Sequence, residues 1–469
     1  MSHSIHSSIK EIQKDMYFGT EVLNRVSFLR EDNEFITRSL FHPSTRFIFF
    51  NRQQPLVYKN YGTKLAILTN GNNQVNIDEL TPGVHDKLGV TGTKFLANGL
   101  YEGIPGWKSV LNTWNEDNRN HDKELRAGGK PIFLFMGLLD ESIGLDVNSL
   151  KGESEPAVSE DDDGEKYLDH QGRYQGIAYY AVDVTRNQEL SQQLIEFVNR
   201  CVNEQQGTAT SKPKSAEENG VYYTHSRKHF LSFEHKEASL YSYGAMFFNW
   251  LKTNKFCPGC GHPTIPIHAG GKLACTNDAK TEPTAEKPEP RFICPVRSAT
   301  VSNVSFPRTD MAIISIITNR DRSKILLSLG KRHAITKMYS CTAGFMEPSE
   351  TVEIATKREI WEETGVNCAE VSIVMTQPWP FPSNLMIGCM GVVDFNGTDE
   401  VIHLGHDNEL LDARWFDTSF VRKLVYPDEV AAGEDESFNP EGILIPMSES
   451  IAFSLIKLCV DEARNAHKL

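Results

Sequence analysis

The sequence predicts a mixed α/β protein of more than one domain, and three observations lead there. Strand-like runs at 312–318, 324–328 and 385–395 bracket GFMEPSETVEIATKREIWEETGV (344–366), a segment with helical spacing and glutamates on one face. Four cysteines, in FCPGCGHP, KLAC and FICP, separate that half from an N-terminal half with its own strand-like runs. The chain has 469 residues, 39% of them hydrophobic, enough for packed cores in about two to four domains.

In chain order, RFIFF (46–50), LAILT (65–69), PIFLFMGLL (131–139) and IAYYAVDV (177–184) read as strands, and ELSQQLIEFVNRCV (189–202) has helical spacing. GESEPAVSEDDDGEK (152–166) and NEQQGTATSKPKSAEENG (203–220) read as solvated polar insertions. A helix near 238–251 leads into the cysteine-bearing segment, and SIAFSLIKLCVDEARN (450–465) reads as a closing helix. The expected layout is an N-terminal domain at 1–248, a metal ribbon at 249–300 and a catalytic domain at 301–469.

The segment 344–366 fills every fixed position of the Nudix box, G-x5-E-x7-R-E-U-x-E-E-x-G-U with U aliphatic. On a helix turning about 100° per residue, Glu359 and Glu363 lie one turn apart with Glu362 beside them. Neighbouring carboxylates there repel by about 0.2–0.5 kcal/mol per pair. Hard divalent cations offset that repulsion, and Mg²⁺ in turn grips phosphate oxygens. The box is a diphosphate-cleaving site with Glu359, Glu362 and Glu363 as its catalytic acids. Pro348-Ser349 reads as the helix start, Glu350 and Glu353 as acids in its first turn, and Gly365 as its stop. Arg358 either orients the glutamates, touches phosphate or makes an intrahelical ion pair.

Cys257 and Cys260 form a C-x2-C knuckle, followed by Cys275 and Cys294. That is the layout of a four-cysteine structural zinc ribbon, with a Pro- and Glu-rich loop before the last ligand. Redox chemistry is the rival reading of CPGC, and His262 the alternative to Cys294 as fourth ligand. Cys201, Cys341, Cys368, Cys389 and Cys459 are scattered singly and read as small buried side chains.

Beyond the box comes QPWPFPSN (377–384), two aromatics interleaved with three prolines, in which Gln377, Ser383 and Asn384 can hydrogen-bond. After a Nudix box and a four-cysteine ribbon, this segment closely resembles the SQPWPFPxS signature of the NADH pyrophosphatase family, with Thr376 at the first position. FPRTD (306–310) resembles the family's YPR-D segment with Phe306 for Tyr, and NELLDARWF (408–416) its E-x-x-DARWF segment. YFGTEVLNRVSFLREDNEFI, near the N-terminus, is similar to the family's N-terminal domain.

The resemblance implies a Nudix α/β/α sandwich, preceded by the ribbon and by an N-terminal domain that is a degenerate relative of the catalytic fold. It implies homodimers, and hydrolysis of NADH to NMNH and AMP, with NAD⁺ and related dinucleotides as further substrates. It also implies Mg²⁺ or Mn²⁺ held by Glu359, Glu363, Glu409 and the Ala343 carbonyl, with Glu362 as a further ligand or the base. Substrate contacts follow at Gln377, Pro378, Trp379, Pro380, Phe381, Pro382, Ser383, Asn384 and Ala452. From their chemistry alone, Phe306 and Phe345 are candidates to stack on a base, with core packing as the alternative. Decapping of NAD-capped RNA by the same chemistry is the alternative, and a non-catalytic zinc-ribbon module the alternative of another class.

The net charge of −14, with a pI near 5.6, disfavours a generic nucleic-acid or anionic-membrane surface. No signal-type apolar region opens the sequence and no stretch approaches membrane-spanning length, so a soluble, non-secreted protein is expected. Nine cysteines without regular pairing, in a chain this long, suit a reducing compartment. His467-Lys468-Leu469 resembles the S-K-L address, from which peroxisomal import through its receptor is expected, and otherwise a cytoplasmic location.

Overall fold

The structure, a computed structural model, describes residues 16–58, 64–71, 99–121, 129–143, 167–206, 220–277, 294–298, 306–406, 409–429 and 438–466. The acidic insertion 152–166, most of 203–220, the loop before Cys294 and the terminal tripeptide 467–469 lie outside these residues. The chain divides into two compact units, Glu21–Arg308 and Thr309–Leu469, the latter joined by the N-terminal segment ending at Thr20. The cysteine ribbon belongs to the first unit. Among the described residues no helix is long and apolar enough to cross a membrane.

In the first unit, β1 (Arg46–Asn51), β2 (Gln54–Tyr58), β3 (Ile67–Thr69), β4 (Ile132–Leu139), β5 (Leu168–His170), β6 (Tyr174–Asp183) and β7 (Val221–Tyr223) form one sheet. Its order is β4-β6-β1-β2-β7, with β3 beside β1 and β5 beside β6. Every residue of β4 is buried, which is why PIFLFMGLL reads as an unbroken apolar run rather than an alternating one. Trp107 and Trp114 of α1 (Trp107–Asn120) pack on Phe133 of this sheet. Burying each such ring stabilises the fold by about 1.5–3 kcal/mol. The ribbon hairpin pairs β8 (Thr264–Ile267) with β9 (Lys272–Cys275).

The second unit is a six-stranded sheet of β10 (Asp310–Asn319), β11 (Lys324–Gly330), β12 (Thr342–Phe345), β13 (Glu370–Trp379), β14 (Asn384–Val393) and β15 (Leu410–Asp417). Its order is β13-β14-β10-β11-β15, with β12 beside β10. Helices α2 (Val352–Thr364) and α3 (Ile451–Ala466) pack on it. Strand β13 is not among the elements expected from the sequence. QPWPFPSN closes a hairpin: Gln377–Trp379 end β13, and Asn384 opens β14 opposite Trp379. Pro378 is tolerated because β13 is an edge strand, where a missing N–H leaves no ladder broken.

The two sheets have the same plan. In each, a central strand (β1 or β10) pairs parallel with one neighbour and antiparallel with two others. The outer pairs β4/β6 and β13/β14 are antiparallel, and both carry a register shift. This agrees with the expected degenerate copy. The helix between β3 and β4, WKSVLNTWNEDNRN, carries none of the box's three-glutamate pattern.

Candidate active site

The box helix α2 begins at Val352, not at Pro348-Ser349. Thr351 is its N-cap, and its hydroxyl accepts from the Ile354 N–H at 3.3 Å. Ser349 adopts a positive φ of 73° in the preceding turn, a backbone state outside the helix. Glu350 therefore stands before the helix rather than in its first turn, and its carboxylate serves another purpose. Gly365 ends the helix as expected, in the left-handed conformation at φ 74°.

Arg358 organises the acids. Its Nε donates to Glu350 Oε1 at 2.6 Å, and its Nη1 donates to both Glu359 Oε1 and Glu362 Oε2 at 2.8 Å. Its Nη2 donates to Glu350 Oε2 at 3.0 Å and to the Phe345 carbonyl at 2.9 Å. One guanidinium thus fixes Glu359 and Glu362 and ties them to the end of β12. The Arg358 contact holds the Glu350 carboxyl down at about 2. Partial burial pushes the Glu359 carboxyl upward against the pull of Arg358, and the charges of Glu362 and Glu409 add to the rise. Glu363 is buried.

The glycine that opens the box has a steric reason. A Cβ at Gly344 would lie 2.1 Å from the Glu359 carboxylate, so any side chain there would displace it. Ala343 and Gly344 pair with Ile314 and Ile313 of β10, which places the β12 backbone at that carboxylate. Glu409, exposed, precedes β15. Hard oxygen donors under mutual repulsion, partly desolvated, suit a divalent cation such as Mg²⁺ or Mn²⁺.

Around QPWPFPSN the arrangement is only partly what its residue types suggest. Gln377 is buried, and its side chain is engaged at both ends. Nε2 donates to the carbonyls of Tyr17 (3.1 Å) and Glu449 (2.8 Å), and Oε1 accepts from Ile451 N–H at 2.8 Å. The ring of Phe18 meets Trp379 and Phe381 edge-on, with centroids 5.8 and 5.9 Å away. Gly19 lies against Pro378, where a Cβ would approach its Cδ to 2.9 Å. The segment Tyr17–Gly19 thus backs the hairpin, a role that no spacing in the sequence announces.

Pro380 is buried and Pro382 exposed, and the Phe381–Pro382 peptide is cis. The Ser383 carbonyl accepts from Asp310 N–H at 3.0 Å. Asn384 Oδ1 is buried and has no hydrogen-bond partner. Ala452 is buried one residue beyond Ile451, whose N–H Gln377 holds. Phe345 is 59% exposed, an open ring beside the Arg358 network. Phe306 belongs to the other unit and is 48% exposed, with Lys272 Nζ 5.4 Å from its ring centroid.

The cysteines converge. The sulfurs of Cys257, Cys260, Cys275 and Cys294 all lie within 4.8 Å of one another, with Cys257 3.5 Å from Cys294 and Cys260 3.3 Å from Cys275. These separations are too long for disulfides and near the roughly 3.8 Å that tetrahedral Zn–S bonds of about 2.3 Å impose. His262 is exposed outside the cluster, its ring facing the Cys260 carbonyl. Of the single cysteines, Cys201, Cys341, Cys389 and Cys459 are buried, while Cys368 is half-buried.

A NUDIX domain family model matches residues 308–432. The "NAD-capped RNA hydrolase NPY1" of Saccharomyces cerevisiae is 35% identical over 456 residues, covering 96% of this chain and 97% of that protein. The "NAD-capped RNA hydrolase" of Schizosaccharomyces pombe is 27% identical over 447 residues, 94% of this chain and 92% of that one. The human "NAD-capped RNA hydrolase NUDT12" is 35% identical over 227 residues, 48% of this chain and 42% of that protein.

Proposed function

Since the chain belongs to the NADH pyrophosphatase family of Nudix hydrolases, whose relatives are named NAD-capped RNA hydrolases, we propose that its Glu359-centred site hydrolyses the diphosphate of NADH and related dinucleotides. The products are NMNH and AMP. Water forms a new bond to phosphorus, the bridging P–O bond breaks, and the leaving phosphate departs with the other nucleotide. When the adenosine side carries RNA, the same cleavage removes the NAD cap. The single observation that carries the reading is Arg358, which holds Glu359, Glu362 and the Phe345 carbonyl at one point.

Glu359 and Glu363 hold Mg²⁺ or Mn²⁺, with Glu409 and the Ala343 carbonyl as further ligands. When bound, the divalent ion offsets phosphate charge and acidifies a water. Arg358 keeps Glu359 and Glu362 from splaying under their own repulsion. Glu362, partly exposed at the end of that network, is a ligand or takes the proton of the attacking water. Phe345 offers an open face to a base, and the unpartnered Asn384 Oδ1 accepts from a substrate N–H or O–H, which relieves its buried state. Zn²⁺ in the cysteine ribbon is structural, because four protein ligands leave no position for water.

Replacing Glu359 or Glu363 with Gln tests the assignment. Either change is expected to cut metal-dependent NADH turnover by about a thousandfold, the several kcal/mol that such charge stabilisation supplies. Normal turnover in both variants would refute it.

A further inference from the structure

The catalytic unit does not start at Thr309. The segment ending at Thr20 belongs to it, and the chain builds the other unit before it returns. Met16 is buried in one apolar cluster with Met375 and Ile451 of the catalytic unit. The Gly19 N–H donates to the Met16 carbonyl at 2.8 Å, which closes a turn over Tyr17 and Phe18. Within it Phe18 has a positive φ of 68°, a backbone state that residues other than glycine hold only where their surroundings enforce it.

Those surroundings are the QPWPFPSN hairpin. Phe18 meets Trp379 and Phe381 edge-on, and these two meet each other at 5.3 Å and 79°, so the three rings close into an edge-to-face triangle. Phe18 is buried, whereas Trp379 and Phe381 are half-buried and keep surface for a ligand. The turn is pinned on both sides of the triangle. The Tyr17 carbonyl accepts from Gln377 Nε2, and Gly19 abuts Pro378. Glu359 and Glu362 are held separately, by Arg358.

We propose that the Met16–Gly19 turn, through Phe18, sets Trp379 and Phe381 in the arrangement that receives the dinucleotide, making Phe18 a positioning residue for substrate rather than for metal. With both rings held beforehand, binding does not have to order them. Without Phe18 the dinucleotide must order two large side chains as it binds, and that cost falls on affinity. It appears in KM, while kcat follows the undisturbed acids. The proposal rests on the reading of the hairpin around Asn384 as part of the substrate site.

The test measures steady-state NADH hydrolysis by the full chain, alongside Mn²⁺ binding by electron paramagnetic resonance and thermal unfolding. Phe18→Leu keeps apolar bulk in the core but removes the ring edges. Gly19→Ala leaves Phe18 in place and presses a Cβ on Pro378 from an exposed position. Each is expected to raise KM for NADH by about tenfold, the cost of ordering two side chains on binding. The kcat, Mn²⁺ affinity and unfolding midpoint should stay those of the parent. Parent-like KM in either variant overturns the proposal. So does loss of kcat and Mn²⁺ binding together with substrate affinity, which marks general damage to the fold. If Phe18→Leu does not fold, Gly19→Ala, which empties no core, decides alone. Asn384→Ala tests the reading beneath. Parent-like KM there removes the hairpin from the substrate site, and the proposal with it. A raised KM there beside parent-like Phe18→Leu defeats the proposal alone.

Discussion

At the scale of single residues, side chains do work that their type alone does not announce. Gln377 sits in a signature suited to substrate contact, yet its amide bonds the backbone of Tyr17, Glu449 and Ile451. Glu350 looks like a helix-start acid and instead completes the Arg358 network. Glu237 is another such case. It is buried in the first unit and accepts from the Leu65 N–H at 3.0 Å, while its second oxygen finds no partner. Burial pushes its carboxyl up to about 8, from an unfolded value near 4.5. The native state then holds a proton that the unfolded chain releases, so this group's stabilisation is full below the unfolded value. It declines as pH rises and is gone above the folded value. Glu237→Gln, which keeps an acceptor for Leu65, should therefore flatten the fall in thermal midpoint between roughly pH 5 and pH 8. Equal slopes in parent and variant would show that Glu237 does not carry this proton.

At the scale of elements, the box helix and its neighbouring strands were legible because fixed spacing and apolar runs announce them. The expected strand at 312–318 lies within Asp310–Asn319 and the helix at 238–251 within His235–Thr253. The helix start was misjudged because Pro348-Ser349 is a strong start signal, whereas the cap is Thr351. Strand β13 was not legible because its end runs into the three prolines of QPWPFPSN, residues that an edge position tolerates but that carry no strand signal. The Tyr17–Gly19 backing was illegible for another reason: it joins residues far apart in sequence at positions that no pattern fixes. The clustering of Cys257, Cys260, Cys275 and Cys294 was legible in their spacing, and the zinc proposed there is tested separately from catalysis. Elemental analysis is expected to find zinc in the parent and to lose it in Cys257→Ser or Cys275→Ser, together with stability, because structural metal binding is coupled to folding. A parent that is folded, reduced and zinc-free would refute the ribbon.

At the scale of the whole molecule, one sheet plan is used twice, and of the two corresponding helices Val352–Thr364 carries the box's Glu359, Glu362 and Glu363 pattern and Trp107–Asn120 does not. The first copy keeps the buried strands and aromatic core of the plan without the box. The central claim is that the second copy cuts the diphosphate of an NAD-type dinucleotide, free or at the end of an RNA. The most direct test is a mass-spectrometric product analysis of the pure full chain with Mg²⁺ or Mn²⁺, given NADH and, separately, an NAD-capped transcript. The account predicts NMNH with AMP from the first, and NMN with a 5′-monophosphate RNA from the second. Release of nicotinamide, which marks cleavage of the glycosidic bond, or no cleavage of either substrate, would contradict it.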